Sequence, residues 1–373
     1  MDYKRCWAAV DLAALSHNYH CIRRFLSPGC RYLAIVKADG YGHGAATVAG
    51  QLQKDGADWF GVATMEEALD LRRQGIYRPI LVLGYTDPAA APILASNTIT
   101  QTLFSEEYAL QLAAEAAKAG CVVDCHVKID TGMSRLGFDA ENENTVLMVE
   151  KLAQSGSLRI TGIFTHFAVA DEDTAVSMAF TERQFTLFME VCNRLQADGV
   201  NVGLRHCCNS AGLLRFPNYA MDAVRVGSAI LGRLSFKGSY NLKRVGTLEA
   251  TVDELRWLPK GHTCGYGAGW KAKKPTRIAV LPVGWYNGFG CQMGNDLTRR
   301  RDSLRGVLSN LKQLIFGRKG YTVLLGTKRC KVLGHIGMLH TVIDVTDINC
   351  KLGDKAIFDV NPLLLKGVDV MFQ

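Results

Sequence analysis

The amino-acid sequence predicts an α/β fold in which an N-terminal (β/α)8 barrel, similar to a TIM barrel, is followed by a mostly β C-terminal domain. Three observations predict this architecture. The chain has 373 residues, and at about 100 to 200 residues per domain this length suggests two domains. Eight short β-type runs alternate with helical patterns in the N-terminal part, and a barrel requires eight such βα units. Beyond about Leu234 the helical patterns give way to further β-type runs.

The alternation of strands and helices begins after a first helical pattern at Asp11–Phe25. The eight predicted barrel strands are Tyr32–Lys37, Trp59–Ala63, Ile80–Leu83, Ile99–Leu103, Val122–Ile129, Ile160–His166, Gly203–Cys208 and Ala223–Val226. Between them lie helical patterns such as Ser105–Ala119, where Ser105 suits the N-cap and Gly120 suits the C-terminal stop. Few other single-domain architectures use eight βα units, and barrels of this kind place their chemistry at the C-terminal ends of the strands.

We therefore predict a barrel domain over residues 1–236 and a mostly β domain over residues 237–373. The β-type runs of the second domain are Arg277–Val283, Tyr321–Leu325, Lys331–Leu333, Thr341–Val345 and Ala356–Val360. A basic helical insert is predicted at about residues 296–320, where seven Lys or Arg residues accompany two Asp. Apolar residues at helical spacing favour a solvated helical face there. Nucleic-acid binding is disfavoured, since aromatic side chains do not alternate with the charges.

Composition and charge describe a chain able to bury a large core, since 48% of its residues are hydrophobic and its formal net charge is +8. No window approaches the roughly 18 apolar residues of a membrane span, and the N-terminus has no apolar signal-peptide centre. We expect a soluble, cytoplasmic protein. The twelve cysteines lack the regular spacing of a disulfide scaffold. Cys121 with Cys125 and the pair Cys207-Cys208 would need further ligands, so buried thiols are favoured and no metal site is predicted.

A lysine ends the first predicted strand. The run Ala34-Ile35-Val36-Lys37 is followed by Ala38-Asp39-Gly40-Tyr41-Gly42-His43-Gly44. A lysine at the mouth of an apolar strand is partly desolvated, which lowers its pKa and favours the neutral amine that forms a Schiff base; a solvent-facing lysine is the ordinary alternative. The glycine-rich turn allows bare backbone to approach a ligand, although its spacing fits neither a dinucleotide fingerprint nor a P-loop.

Small residues follow the last two predicted barrel strands, as Asn209-Ser210-Ala211-Gly212 and Arg225-Val226-Gly227-Ser228. Loops after strands seven and eight are the customary phosphate cradle of this barrel. A phosphorylated cofactor together with a Schiff-base lysine indicates pyridoxal phosphate, while the residues taken singly leave other interpretations open.

Several motifs of the chain, taken together, resemble the signature of alanine racemases and come in the order found in that family. The motifs are the segment Ala34–Gly44, then Lys128–Gly137, Thr165-His166-Phe167-Ala168, Arg225-Val226-Gly227, Gly265-Tyr266-Gly267, Leu281-Pro282-Val283-Gly284 and Gly334–Met338. The resemblance implies a pyridoxal-phosphate-dependent amino acid racemase that interconverts L-alanine and D-alanine, which feeds D-alanine to cell-wall synthesis.

The resemblance also implies roles for individual residues. Lys37 would hold the cofactor and then act as the acid/base on one face of the substrate, and Tyr266, from the partner subunit of a homodimer with shared active sites, would act on the other. Arg225 would bind the pyridine nitrogen and His166 would orient Arg225. The remaining implied residues are Tyr41, Ser210, Gly227 and Ser228 around the cofactor phosphate, Arg135 and the Met338 backbone N–H near the substrate, and Lys128 as a carbamylated lysine beside Arg135. Asn209, in the loop of small residues after the seventh predicted strand, is also expected to bind the cofactor.

Two departures from the family pattern bear on specificity. Met338 precedes Leu339 and His340 where the family usually has Asp and Gln, and no tyrosine follows Tyr321, although the family commonly carries a late tyrosine near the cofactor phosphate. A wider or differently charged entrance is the resulting hypothesis. A racemase of serine or of broader specificity therefore stays open, and so does a pyridoxal-phosphate-binding protein without turnover.

Overall fold

The computed structural model describes residues 4–291 and 320–373, which form two compact units. One unit is Asp11–Val245, and the other joins the described residues up to Val10 to those from Gly246 onward. The structure therefore differs in two places from the predicted division at 236/237. The boundary lies later in the chain, and the first strand, β1 (Cys6–Val10), belongs to the second unit because it pairs with strands there. A local sequence pattern cannot show a pairing so distant along the chain.

The first unit is the predicted barrel. Its eight parallel strands are β2 (Arg31–Ile35), β3 (Trp59–Val62), β4 (Ile80–Val82), β5 (Ile99–Leu103), β6 (Val123–Asp130), β8 (Leu158–Phe164), β9 (Leu204–His206) and β10 (Ala223–Val226). They are ordered β10-β2-β3-β4-β5-β6-β8-β9, and the short β7 (Phe138–Asp139) pairs beside β6. Between β9 and β10 the Arg225 N–H donates to the Cys208 carbonyl at 2.9 Å. The predicted fold class is confirmed.

Helices connect the barrel strands. They are α1 (Leu12–Arg23), α2 (Lys37–Gly42), α3 (Ala45–Asp55), α4 (Met65–Arg73), α5 (Ala91–Ser96), α6 (Glu106–Lys118), α7 (Thr145–Ala153), α8 (Ala175–Ala197) and α9 (Ser210–Arg215). Side-chain caps fix several of their starts: Ser105 Oγ accepts from the Tyr108 N–H at 3.3 Å, as predicted for α6. Apolar side chains such as Leu33, Ile35, Leu81 and Phe164 pack together in one buried cluster.

The second unit is mostly β. Besides β1 its strands are β11 (Gly246–Thr251), β12 (Glu254–Leu258), β13 (Thr263–Cys264), β14 (Trp270–Lys271), β15 (Thr276–Leu281), β16 (Thr322–Leu325), β17 (Lys328–Lys331), β18 (Thr341–Asp344), β19 (Lys355–Phe358) and β20 (Asp369–Phe372). One sheet has the order β17-β16-β19-β11-β1-β20, and a second has the order β12-β15-β18. The rings of Phe289 and Phe358 pack edge to face in the core of this unit, with their centroids 4.9 Å apart.

Two predictions for the second unit need separate mention. The run predicted at Lys331–Leu333 is the end of β17 plus a single bridge from Val332 to Ile343, because the chain leaves the ladder after Lys331. The basic helical insert predicted at about residues 296–320 lies, apart from Gly320, outside the described residues. Within the described residues, no helix has the length and apolar character needed to cross a membrane.

Candidate active site

A cavity of about 520 Å³ is built from residues in the C-terminal halves of the barrel strands and in the segments that follow them. Its lining includes ten of the residues that the sequence singles out: Lys37, Tyr41, Lys128, Arg135, His166, Asn209, Ser210, Arg225, Gly227 and Ser228. A volume of this size is typical of pockets for small molecules. The barrel therefore brings together side chains that lie far apart in the sequence.

The loop that carries Lys37 into the cavity has an unusual backbone. In α2, the residues Ala38, Asp39, Gly40 and Tyr41 have φ values between 51° and 62°, which makes this turn left-handed. For a residue other than glycine this conformation costs roughly 1–2 kcal/mol, so surrounding contacts must hold it. The glycines at 40, 42 and 44 indicated a turn in the sequence, but the left-handed conformation of three other residues was not predicted.

The electrostatic surroundings of Lys37 favour its neutral amine. Burial lowers the pKa of Lys37, the nearby Arg135 guanidinium lowers it further, and the Glu67 carboxylate acts in the opposite direction. The sequence predicted the effect of burial, because the lysine follows an apolar strand. Neither the part played by Arg135 nor the part played by Glu67 was predicted.

Arg225 is buried, with only 3% of its surface exposed, and the hydrogen-bond partners of its guanidinium within the described residues are uncharged carbonyls and imidazoles. Its Nη2 donates to the carbonyls of Thr165 at 2.6 Å and Cys207 at 3.0 Å, and it lies 3.4 Å from His166 Nδ1. Its Nη1 donates to His206 Nδ1 at 2.7 Å. Burial lowers the pKa of Arg225 to about 10, which still leaves it a cation at neutral pH.

Two histidines, His206 and His126, form a hydrogen-bonded chain that begins at Arg225, and the sequence analysis did not predict it. Because an arginine can only donate, His206 Nδ1 must accept, and its Nε2–H then donates to His126 Nδ1 across 3.0 Å. Burial lowers the pKa of His206 well below its usual range and that of His126 to about 3. Both rings are therefore neutral. A histidine within a strand carries no sequence signal that separates this role from ordinary packing in a core.

His166 is held neutral in the same way. Burial together with the charges of Arg225 and Arg135 holds its pKa well below the usual range. The contact between His166 and Arg225 agrees with the expected pairing, but the shorter bond from Arg225 goes to His206.

Small polar groups form one wall of the cavity. Ser210 Oγ accepts from the backbone N–H of Gly227 at 3.1 Å and of Ala229 at 3.4 Å. The Tyr41 hydroxyl packs against Gly227 so closely that a Cβ there would lie 2.4 Å from its oxygen. Burial raises the pKa of Tyr41 to about 12, so its hydroxyl stays protonated and can donate. Ser228 completes this wall.

The cavity carries an excess of positive charge. Lys37, Lys128, Arg135 and Arg225 line it, and Asp171 is the acid among the lining residues. Lys128 is only 4% exposed. Burial, Arg135 and Arg225 lower its pKa to about 8. Such an arrangement favours an anionic ligand, because each cation is expensive to bury without a negative partner.

Tyr266 and Met338 lie in the second unit, and they are not among the residues that line the cavity. They are 77% and 53% exposed, respectively. Their loops are neighbours: a Cβ on Gly265 would lie 3.1 Å from the His335 nitrogen, and the Tyr286 N–H donates to the Met338 carbonyl at 3.0 Å. The second unit thus presents both predicted residues from one group of loops.

Comparison with known proteins agrees with this geometry. The family model described as "Alanine racemase, N-terminal domain" matches residues 10–235, and "Alanine racemase, C-terminal domain" matches residues 245–361. The alanine racemase of Desulfovibrio desulfuricans is 36% identical over 363 residues, which cover 95% of this chain and 89% of that protein. The alanine racemase of Clostridium tetani is 34% identical over 94% of this chain and 85% of its own length.

Solved structures agree as well. The alanine racemase of Clostridium difficile 630 superimposes with a TM-score of 0.84 at 28% identity, over 100% of this chain and 97% of that one. The biosynthetic alanine racemase of Pseudomonas aeruginosa gives a TM-score of 0.80 at 26% identity, over 99% of both chains. With both domains matched over nearly its whole length, the chain belongs to the alanine racemase family and is a racemase, which makes it an isomerase.

Proposed function

We propose that this protein interconverts L-alanine and D-alanine with pyridoxal phosphate as cofactor, and so supplies D-alanine for cell-wall synthesis. We further propose that it works as a homodimer in which Lys37 of one subunit and Tyr266 of the other serve as the two acid/base groups. The observation that supports this most directly is the pairing, in one cavity, of a lysine with a lowered pKa and a buried arginine that donates to carbonyls and imidazoles among the described residues.

The residues present fit this cofactor. Close packing of Tyr41 on Gly227 and the Ser210 bonds make a wall of hydroxyl and amide groups suited to a phosphate, with Asn209 and Ser228 beside it. Lys37 would bind the cofactor covalently. When bound, pyridoxal phosphate supplies an electron sink that acidifies the α-hydrogen of an amino acid.

Arg225 would determine how strongly the ring of a bound pyridoxal phosphate withdraws electrons. A guanidinium can only donate, so a ring nitrogen that faces it accepts and stays unprotonated. An unprotonated ring withdraws fewer electrons, which limits side reactions such as transamination. The His166 contact and the neutral chain of His206 and His126 hold Arg225 in place without a carboxylate that would neutralise its charge.

Racemisation requires that a proton leaves one face of the α-carbon and returns to the other. Lys37, with its lowered pKa, can take or give that proton on one face at neutral pH. Tyr266, exposed on the second unit, would serve the opposite face in the partner's site. Arg135 and the Met338 backbone N–H would hold the substrate carboxylate.

Lys128 would carry a carbamate formed with carbon dioxide. Because its pKa is lowered to about 8, a useful fraction of its amine is neutral near physiological pH and can react. The product would turn a buried cation into an anion beside Arg135. This change would reduce the excess of positive charge in the cavity.

The test is exchange of the α-hydrogen in deuterated water, followed by NMR, on a panel of L-amino acids with the protein and pyridoxal phosphate. We expect fastest exchange with alanine and loss of exchange in Lys37→Ala. Tyr266→Phe should permit exchange from one enantiomer while slowing racemisation. Borohydride reduction followed by mass spectrometry should find the cofactor on Lys37. Attachment of the cofactor without exchange of any amino acid would mean a binding protein and would overturn the proposal.

One observation favours a second candidate, a racemase of serine or of broader specificity. Leu339 is 46% exposed beside Met338, in the segment before β18 that neighbours the loop of Tyr266, and the family pattern has an aspartate there. The same panel distinguishes the two candidates, because stronger exchange with serine than with alanine would select the second.

A further inference from the structure

Glu67 joins the two chain segments that follow neighbouring barrel strands. It lies in the first turn of α4. One carboxylate oxygen accepts from the Ala38 N–H at 2.6 Å, and the other accepts from the Ala63 N–H at 2.7 Å. Ala38 directly follows Lys37, and Ala63 follows β3 and lines the cavity. A single charged group therefore fixes the backbone next to the lysine.

This bond matters because of the left-handed turn. The Ala38 N–H is the first donor of the turn, and a charge-assisted bond to a carboxylate is roughly twice as strong as a neutral one. The far end of the turn is held by His43, which is 1% exposed and has its Nδ1 3.0 Å from the carbonyls of both Gly40 and Tyr41. Side chains thus hold both ends of a backbone that is unfavourable by itself.

The charges around Lys37 give Glu67 a second effect. The titratable groups that line the same cavity are Lys128, Arg135, Arg225, His166, Tyr41 and Asp171. Most of the charges among them are positive and so disfavour a charged Lys37. Glu67, in the first turn of α4, acts on Lys37 in the opposite sense, since its negative charge favours the ammonium.

We propose that Glu67 is the positioning residue of Lys37: its carboxylate holds the left-handed turn by bridging the N–H groups of Ala38 and Ala63, and it places a negative charge next to the backbone that carries the amine. The importance of this for catalysis rests on the proposed role of Lys37 as an acid/base. The bridge and its effect on the amine do not depend on that role.

The test measures Lys37 in the full-length protein after the cofactor has been removed with hydroxylamine. An amine-selective reagent such as trinitrobenzenesulfonate is reacted over a range of pH, and the modification of Lys37 is followed by peptide mass spectrometry. In Glu67→Gln we expect the midpoint of this pH profile to move to lower pH, because the charge that favours the ammonium is gone. A purely structural role would change the rate at every pH and leave the midpoint in place.

Hydrogen exchange provides the second measurement. Glu67→Gln places an amide NH2 against one of the two backbone donors and keeps an acceptor oxygen for the other, so the peptide that contains the N–H facing the NH2, at Ala38 or at Ala63, should exchange at least tenfold faster. Glu67→Asp keeps the charge but is too short to bridge, so it should raise exchange while leaving the midpoint near that of the wild type. Glu66→Gln, an exposed acid one residue earlier in α4, should change neither measurement.

An unchanged midpoint in Glu67→Gln, or unchanged exchange at both alanines in a folded variant, would overturn the inference. If Glu67→Gln does not fold, Glu67→Asp decides the question of the bridge. Because neither measurement uses cofactor or substrate, a protein that fails to racemise any amino acid but shows the shifted midpoint would refute the proposed function alone.

Discussion

Replacing Gly227 with alanine should weaken cofactor binding by roughly ten- to a hundredfold. A Cβ at this position would lie 2.4 Å from the Tyr41 hydroxyl oxygen and 3.1 Å from the ring carbon that bears it. Carbon and oxygen need more than 3 Å, so Tyr41 must move by several tenths of an ångström or more. A hydrogen bond to a charged group such as phosphate contributes about 1.5–3 kcal/mol, and each 1.4 kcal/mol is a factor of about ten in affinity.

The assay is a fluorescence titration of the cofactor-free protein with pyridoxal phosphate. Tyr41→Phe should weaken binding by a similar factor, and combining it with Gly227→Ala should add little, since both changes act on the same hydroxyl. Gly50→Ala is the matched control, because a Cβ at Gly50, within α3, meets nothing within 4 Å. Affinity of Gly227→Ala within twofold of wild type would refute the reasoning.

Three further predictions concern the shared site, the buried lysine and the histidine chain. Mixed and reassociated Lys37→Ala and Tyr266→Phe subunits should regain about a quarter of wild-type activity, since random pairing makes half the dimers mixed and each mixed dimer has one intact site; no regain would exclude a site shared in this way. Lys128→Met should raise the free energy of unfolding by up to roughly 3 kcal/mol at pH 7 in buffer free of carbon dioxide, because the folded pKa of about 8 lies below the ordinary 10.5. Between pH 8 and 10.5 the folded protein binds fewer protons at Lys128 than the unfolded chain does, so the stability gained by Lys128→Met should shrink as the pH rises through this range. A gain in stability that did not change with pH would contradict the lowered pKa of Lys128. His206→Phe removes the acceptor 2.7 Å from Arg225 Nη1 and should cost about 1–3 kcal/mol in a chemical denaturation experiment.

The sequence predicts the barrel well because the hydrophobic periodicity and the length of each strand and helix are set by residues that are close together in the sequence. The strands expected at Ile99–Leu103 and Ala223–Val226 are found with the same bounds. The prediction fails for β1, which pairs with β11 and with β20, two strands that are distant from it along the chain. Strand pairing depends on tertiary contacts that a local pattern does not contain.

The site was predicted in part for a related reason. Motifs located Lys37 and Arg225, and the structure places both in one cavity. Glu67, His126 and His206 were missed because none of them was expected to touch a ligand; each acts by a hydrogen bond to another residue near the site. An acid in the first turn of a helix is an ordinary helix feature, and a histidine within a strand is an ordinary core residue. Only their distances to Ala38 and Arg225 separate them from those alternatives.

Two unfavourable features of this barrel lie at the same place. The left-handed turn carries three residues that are not glycine, and four cations share a partly buried cavity with one lining acid. Neither arrangement stabilises the protein without a ligand, since the first costs backbone energy and the second costs desolvation. Both costs are offset when an anion binds. A phosphate would accept a hydrogen bond from Tyr41 and so stabilise the left-handed turn that carries it, and its negative charge would compensate Lys128, Arg135 and Arg225. An anion that occupies the cavity should therefore stabilise the folded state by more than its hydrogen bonds alone. This extra stabilisation explains why residues that disfavour a left-handed backbone can occupy the turn after β2.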